Sequence, residues 1–257
     1  MKLLRACIIA FSMYSRIPMP HVKWEEEDMQ YSFCFFPAIG VLTGVVYIFW
    51  WLLAQSIGLQ PVFAAAVCTA IPVLITGGIH VDGFCDTTDA LASRQKRERK
   101  LEILKDSNVG AFAVIGCVIY FLLYFAVWHQ VFCDNLSPMI PALIFVLSRA
   151  LSGLAAVRWK NARGSGMLFQ FTNSAAGTVV VVVLALWVVI ASMGMVYMNP
   201  IVGGAAIAAA VVMFVYYRIM SYRQFGGITG DLAGWFLVMC EFICLLAVAL
   251  AERVVLL

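Results

Sequence analysis

Seven stretches of this chain approach or exceed about 18 residues with little or no charge, and no other feature narrows the fold as much. They cover residues 33–53, 62–79, 111–131, 137–157, 175–195, 200–217 and 232–250. Apolar runs of that length cross a bilayer as helices. A spanning segment must satisfy its own backbone hydrogen bonds, and these runs do not alternate as barrel strands do. The chain is 63% hydrophobic and 12% charged over 257 residues, more apolar surface than a soluble core of that size can bury. The expected fold is therefore all-α: a polytopic helical bundle of about seven transmembrane helices, one integral membrane domain over residues 1–257.

The basic residues predict its orientation. All but two of the 17 Lys and Arg residues fall in the N-terminal arm (Lys2, Arg5, Arg16, Lys23) or in alternate connections, at 94–105, 158–163 and 218–223. The intervening connections, 54–61, 132–136 and 196–199, contain none. The positive-inside rule then puts the N-terminus and the basic loops in the cytoplasm, and an odd number of spans puts the C-terminus outside. The exceptions are Arg253 in the tail and Arg149 inside the fourth apolar run. Arg149 and Glu241, both in the bilayer, are expected to pair with each other. The apolar part of residues 1–32 is too short to span and reads as a cytoplasmic interfacial helix. The WEEED run at 24–28 reads as a solvated face. The eight cysteines form no CxxC pair and are expected to be packing residues.

Against this apolar background, GGIHVDGFCDTTDAL at 77–91 concentrates three aspartates and a histidine where the second span leaves the membrane. If the segment after Gly83 is helical, Asp82, Asp86 and Asp89 lie at i, i+4 and i+7, on one face. Carboxylates so close repel one another, and a hard cation offsets that repulsion. Mg²⁺ takes one or two carboxylates, with phosphate oxygens and water completing its shell, so a phosphorylated substrate is the natural partner. Helix capping is the plainer role for such aspartates. The segment 80–109 is thus expected to be a cytoplasmic catalytic loop. At its end Lys105, Asp106, Ser107 and Gly110 form a cluster suited to phosphate. The connection RQFGGITGDLAGW places Gly227, Thr229, Gly230 and Asp231 at the start of the last span, an arrangement suited to anion binding. RWKNARGSGMLF contributes Arg163.

GGIHVDGFCDTTDAL, LEILKDSNVGAF, FGGITGDLAG and the SRIPMP near the start resemble the signature segments of the cobalamin synthase family of adenosylcobinamide-GDP ribazoletransferases, in order over almost the whole chain. Two departures are visible: Val238 stands where members commonly carry an acidic residue, and the Arg163 segment is spaced differently. The resemblance implies a multi-pass enzyme of the bacterial or archaeal cytoplasmic (inner) membrane acting late in cobalamin biosynthesis. Its reaction would be the Mg²⁺-dependent displacement of GMP from adenosylcobinamide-GDP by a hydroxyl of α-ribazole or its phosphate. On that reading Asp82 and Asp86 hold Mg²⁺, with Asp89 and Asp231 as further ligands. Lys105 stabilises the leaving GMP, and Asp89 or His80 is the general base. Asp106, Ser107, Gly110, Arg163, Gly227, Thr229 and Gly230 would bind substrate.

Other classes fit less well. A CDP-alcohol phosphotransferase would carry a DGxxAR-type motif that is missing here, and a transporter would place its site at the midplane, often in repeated halves. Nucleic acid is not an expected partner. Membrane lipid is, and the small-residue run GGAAIAAA at 203–210 would allow the close contacts of a homo-oligomer.

Overall fold

The computed structural model describes residues 2–256, apart from the side chains of Glu26 and Leu256. Twelve α-helices are described: α1 Lys2–Tyr14, α2 Glu26–Met29, α3 Phe36–Ser56, α4 Pro61–Thr76, α5 Ile79–Ala92, α6 Arg97–Ile103, α7 Ala111–Cys133, α8 Met139–Arg158, α9 Met167–Ser174, α10 Gly177–Met198, α11 Pro200–Gln224 and α12 Gly230–Leu256. A 3-10 turn, Ser32–Phe35, leads into α3. No strand is present among the described residues; one isolated bridge joins Asn161 to Ile228.

Six helices are long and apolar enough to cross a membrane: α3 with its lead-in, α7, α8, α10, α11 and α12. The seventh expected span is broken. Its first limb, α4, has 16 residues, about 24 Å at 1.5 Å per residue, and α5 leaves it at 96°. The break is at Gly77 and Gly78, whose φ values of +67° and +82° lie in the left-handed region that glycine enters without steric cost. The helix carrying the acidic motif thus begins at Ile79, four residues before Gly83, and residues 80–109 consist largely of two helices, α5 and α6.

α8 is the axis of the bundle, packed against α3, α10 and α12. α7 and α10 turn most of their surface outward, with Leu122 and Ile119 on α7 and Ile190 and Met193 on α10 exposed, as expected of helices that face lipid. At the centre Arg149 Nη1 donates to Glu241 Oε1 at 2.7 Å, and Ser148 Oγ donates to the same oxygen at 3.0 Å. The expected pairing of the two intramembrane charges is present, and both side chains are buried.

α1 packs on α2, the 3-10 turn and α3. Here one expectation fails. Asp28, read as part of a solvated acidic face, is buried and ion-paired with Arg5 at 3.2 Å. Folding α1 back over α2 brings a cation 23 residues away onto that carboxylate. Glu27 keeps to the exposed side, paired with Lys2. All eight cysteines are free.

Candidate functional site

The site is assembled around α5. Asp, Thr and Gly are poor helix formers, so the helicity of IHVDGFCDTTDALA rests on packing against α7 and α12. Gly83 permits the closest approach: a Cβ there would lie 2.7 Å from the carbonyl oxygen of Asp231. At the other end of α5, Asp89 accepts the backbone N–H of Gly110 at 2.6 Å and that of Ala113 at 2.8 Å. It satisfies two donors at the start of α7 that lack helical partners.

Asp82, Asp86 and Asp89 therefore share a face, as their spacing predicts, but their surroundings differ. Asp82 is exposed, Asp86 half-buried, and Asp89 committed to the α7 N-terminus. Burial pushes the Asp86 carboxyl up to about 7, with Asp82 and Asp231 adding to the rise and Arg163 opposing it. Among the described residues no three His, Cys, Asp or Glu side chains stand close enough to make a metal site as they are. The group nonetheless suits Mg²⁺, which keeps several waters and needs only one or two carboxylates. Burial is the main cause of the elevated pKa; the neighbouring carboxylates add to it, and Arg163 only partly offsets them.

Two loops complete the arrangement. The α8–α9 connection is tied to the α11–α12 connection by Ile228 N–H donating to Lys160 O (2.9 Å) and Ala162 N–H donating to Ile228 O (2.8 Å). This holds Arg163 3.0 Å from Asp231, in the first turn of α12. Thr229 donates to Asp231 at 3.3 Å and accepts from Leu232 N–H at 3.3 Å. Gly227 packs on Lys160, and Gly230 is exposed at the mouth of a cavity of about 210 Å³. That cavity is bordered by Asp82, Asp231 and His80. His80 is buried, and its Nε2 has no hydrogen-bond partner.

The Lys105 cluster is less compact than its spacing suggests. Lys105, Asp106 and Ser107 are exposed. Asp106 accepts both N–H groups of Asn108, which hold its carboxyl below the usual range. The Gly110 N–H is taken by Asp89.

Several features escape sequence reasoning. Arg16 of SRIPMP donates its backbone N–H to Ile75 O at 2.7 Å, and its side chain lies over Gly77, fastening the N-terminal arm to the α4–α5 bend. Arg97 lies over Gly226, and buried Lys100 bonds Gln224 at 2.5 Å. Part of the basic stretch is therefore a docking surface for the α11–α12 connection. The aromatic wall of the cavity, Tyr14, Phe33 and Phe36, carries no motif.

These features define a polytopic helical membrane protein with an acidic, arginine-bearing site where α5 crosses the starts of α7 and α12. A family model described as cobalamin-5-phosphate synthase matches residues 6–249. The chain belongs to that family and is a transferase of cobalamin synthesis. It is 45% identical over 255 residues to an adenosylcobinamide-GDP ribazoletransferase of Lachnoclostridium phytofermentans, covering 99% of this chain and 97% of the relative. Proteins of the same name from Clostridium botulinum (strain Alaska E43 / Type E3) and Listeria monocytogenes are 31% and 30% identical. Those alignments cover 96% of this chain and 98% of each relative. No solved structure matches.

Proposed function

We propose that the protein transfers the adenosylcobinamide-phosphate group of adenosylcobinamide-GDP to a ribose hydroxyl of α-ribazole or its phosphate, releasing GMP. The observation that carries this reading is the grouping of Asp82, Asp86, Asp231 and Arg163, with Asp82 and Asp231 on the wall of one cavity, in a chain 45% identical to a protein named for this transfer.

The attacking hydroxyl oxygen forms a bond to the phosphorus nearer the corrinoid, and the bond from that phosphorus to the GMP oxygen breaks. Asp82 and Asp231, which border the cavity from two helices, would hold Mg²⁺. When bound, the ion neutralises charge on the pyrophosphate oxygens. Arg163 adds a fixed positive charge at the same place. Asp86, half-buried one helical turn from Asp82, takes the hydroxyl proton. Asp89 holds α5 on α7 and is a positioning residue. Lys105, on the exposed turn before α7, meets the leaving GMP. The site faces the cytoplasm, where the basic connections lie, across the cytoplasmic (inner) membrane.

Purified protein given adenosylcobinamide-GDP and Mg²⁺ with either ribazole or ribazole phosphate provides the test, with products separated by chromatography. GMP and a complete cobalamin in equal amounts support the reading. Release of GDP, or of GMP without either acceptor, contradicts it. Asp86→Asn is expected to lower kcat about 10²- to 10⁴-fold, the range for loss of a general base, while Mn²⁺ binding, followed by electron paramagnetic resonance, persists.

A further inference from the structure

The cavity of about 210 Å³ beside the carboxylates has two unlike kinds of lining. One is acidic, Asp82 and Asp231; the other is aromatic and apolar, Tyr14 of α1, Phe33 of the 3-10 turn, Phe36 of α3 and Leu168 of α9. His80 also borders it, its ring nearly parallel to Tyr14 (20°, centroids 6.3 Å apart) and edge-on to Phe36 (5.9 Å). Its Nε2 is buried without a partner.

The size of the cavity limits the occupant. Sites for whole drug-sized ligands begin at roughly 300 Å³, whereas an apolar cavity of about 150 Å³ takes one benzene ring. A volume of 210 Å³ fits one fused planar ring system. Its polarity limits the occupant further. Guanine would bring several ring-edge donors and acceptors into a mainly apolar wall and leave most of them unpaired, which is costly. A benzimidazole-type base, alkylated at one nitrogen by its sugar, needs a single hydrogen bond and otherwise prefers apolar, aromatic contact.

Resting on the reaction proposed above, we propose that this cavity holds the heteroaromatic base of the acceptor riboside against Tyr14, Phe33 and Phe36. The sugar then points to the Asp82 and Asp231 side, where its hydroxyl meets the pyrophosphate. The corrinoid donor and its guanine stay outside the cavity. The α1 arm, fastened through Arg16 to the α4–α5 bend, is thereby a specificity element for the acceptor.

The test uses the full chain in detergent and separates binding from turnover. Ribazole binding without donor is measured by calorimetry, and the KM of each substrate in the assay above. Phe36→Leu removes one ring from the aromatic wall while keeping an apolar side chain; it is expected to weaken ribazole about tenfold and leave the donor KM unchanged. Ala156→Leu, which narrows the cavity, is expected to weaken ribazole while sparing a riboside of unfused imidazole. A third measurement does not depend on how that tight variant folds. Met167→Cys, at the cavity edge, is labelled with a maleimide and read at that residue by mass spectrometry. Ribazole should slow the labelling and GDP should not. Protection by GDP and not by ribazole overturns the proposal, as does a shift of the donor KM alone in Phe36→Leu, or no ribazole protection at all. Ribazole that binds and protects but yields no cobalamin sinks the proposed reaction and leaves the cavity assignment standing.

Discussion

Burial beside Asp82 and Asp231 raises the Asp86 carboxyl from an ordinary 3.8 to about 7, which makes the folded state the tighter proton binder between those values. Linkage then gives a stability that falls as pH rises from about 4 to 7 and levels off above. Metal-free protein in chelator should show a melting temperature that declines over this window. Asp86→Asn should flatten the decline, and a profile unchanged by that substitution would show that Asp86 does not titrate there. Asp89 has a structural part instead, accepting two backbone N–H groups at the start of α7. Asp89→Ala should cost about 2 kcal/mol of stability, while Asp89→Asn, which keeps one acceptor oxygen, should cost less; denaturant titration of the two variants distinguishes them. The shared face of Asp82, Asp86 and Asp89 is legible in their spacing alone. Their unequal environments are not, since Gly110, Arg163 and Asp231 lie 21 or more residues from the carboxylates they meet, as Arg5 does from Asp28.

At the scale of elements, the bend between α4 and α5 decides where the carboxylates go. Gly78 has open space where a Cβ would be, so Gly78→Ala measures backbone strain alone, about 1–2 kcal/mol for a left-handed residue. Gly77→Ala meets the Arg16 side chain as well and should cost more, with a larger loss of turnover because the arm and the bend move together. Equal effects would mean that the Arg16 contact contributes nothing. Apolar run length predicts six of the helices closely. It does not predict that the run at 62–79 stops short, because two glycines after an apolar helix also read as an ordinary exit loop. The helix over 79–92 is visible only in part: its residues have low intrinsic propensity, and α7 and α12 supply what the segment lacks.

For the whole molecule, the Arg149–Glu241 pair lies where α8 and α12 meet at the centre of the bundle, and each partner would otherwise be a bare charge in an apolar interior. Glu241→Ala should cost about 3–5 kcal/mol, more than the double replacement Arg149→Leu with Glu241→Leu; thermal unfolding of both variants decides this. The multi-pass helical architecture was readable from apolar runs and basic residues because bilayer thickness and interfacial charge act on the sequence directly. The aromatic cavity was not, because it is built by α1, α3, α5, α8, α9 and α12 together, and only the packed bundle brings their side chains to one place. The central claim is that these elements converge on a cation-assisted phosphoryl transfer governed by the acidic face of α5. It is tested most directly by the rate of GMP release with adenosylcobinamide-GDP and ribazole against Mg²⁺ concentration, for the wild type and Asp82→Ala. The account predicts saturable Mg²⁺ dependence, abolished by chelator, and a steep loss of rate in a variant that still folds. Full turnover in chelator, or an Asp82→Ala enzyme with the wild-type rate and Mg²⁺ dependence, would contradict it.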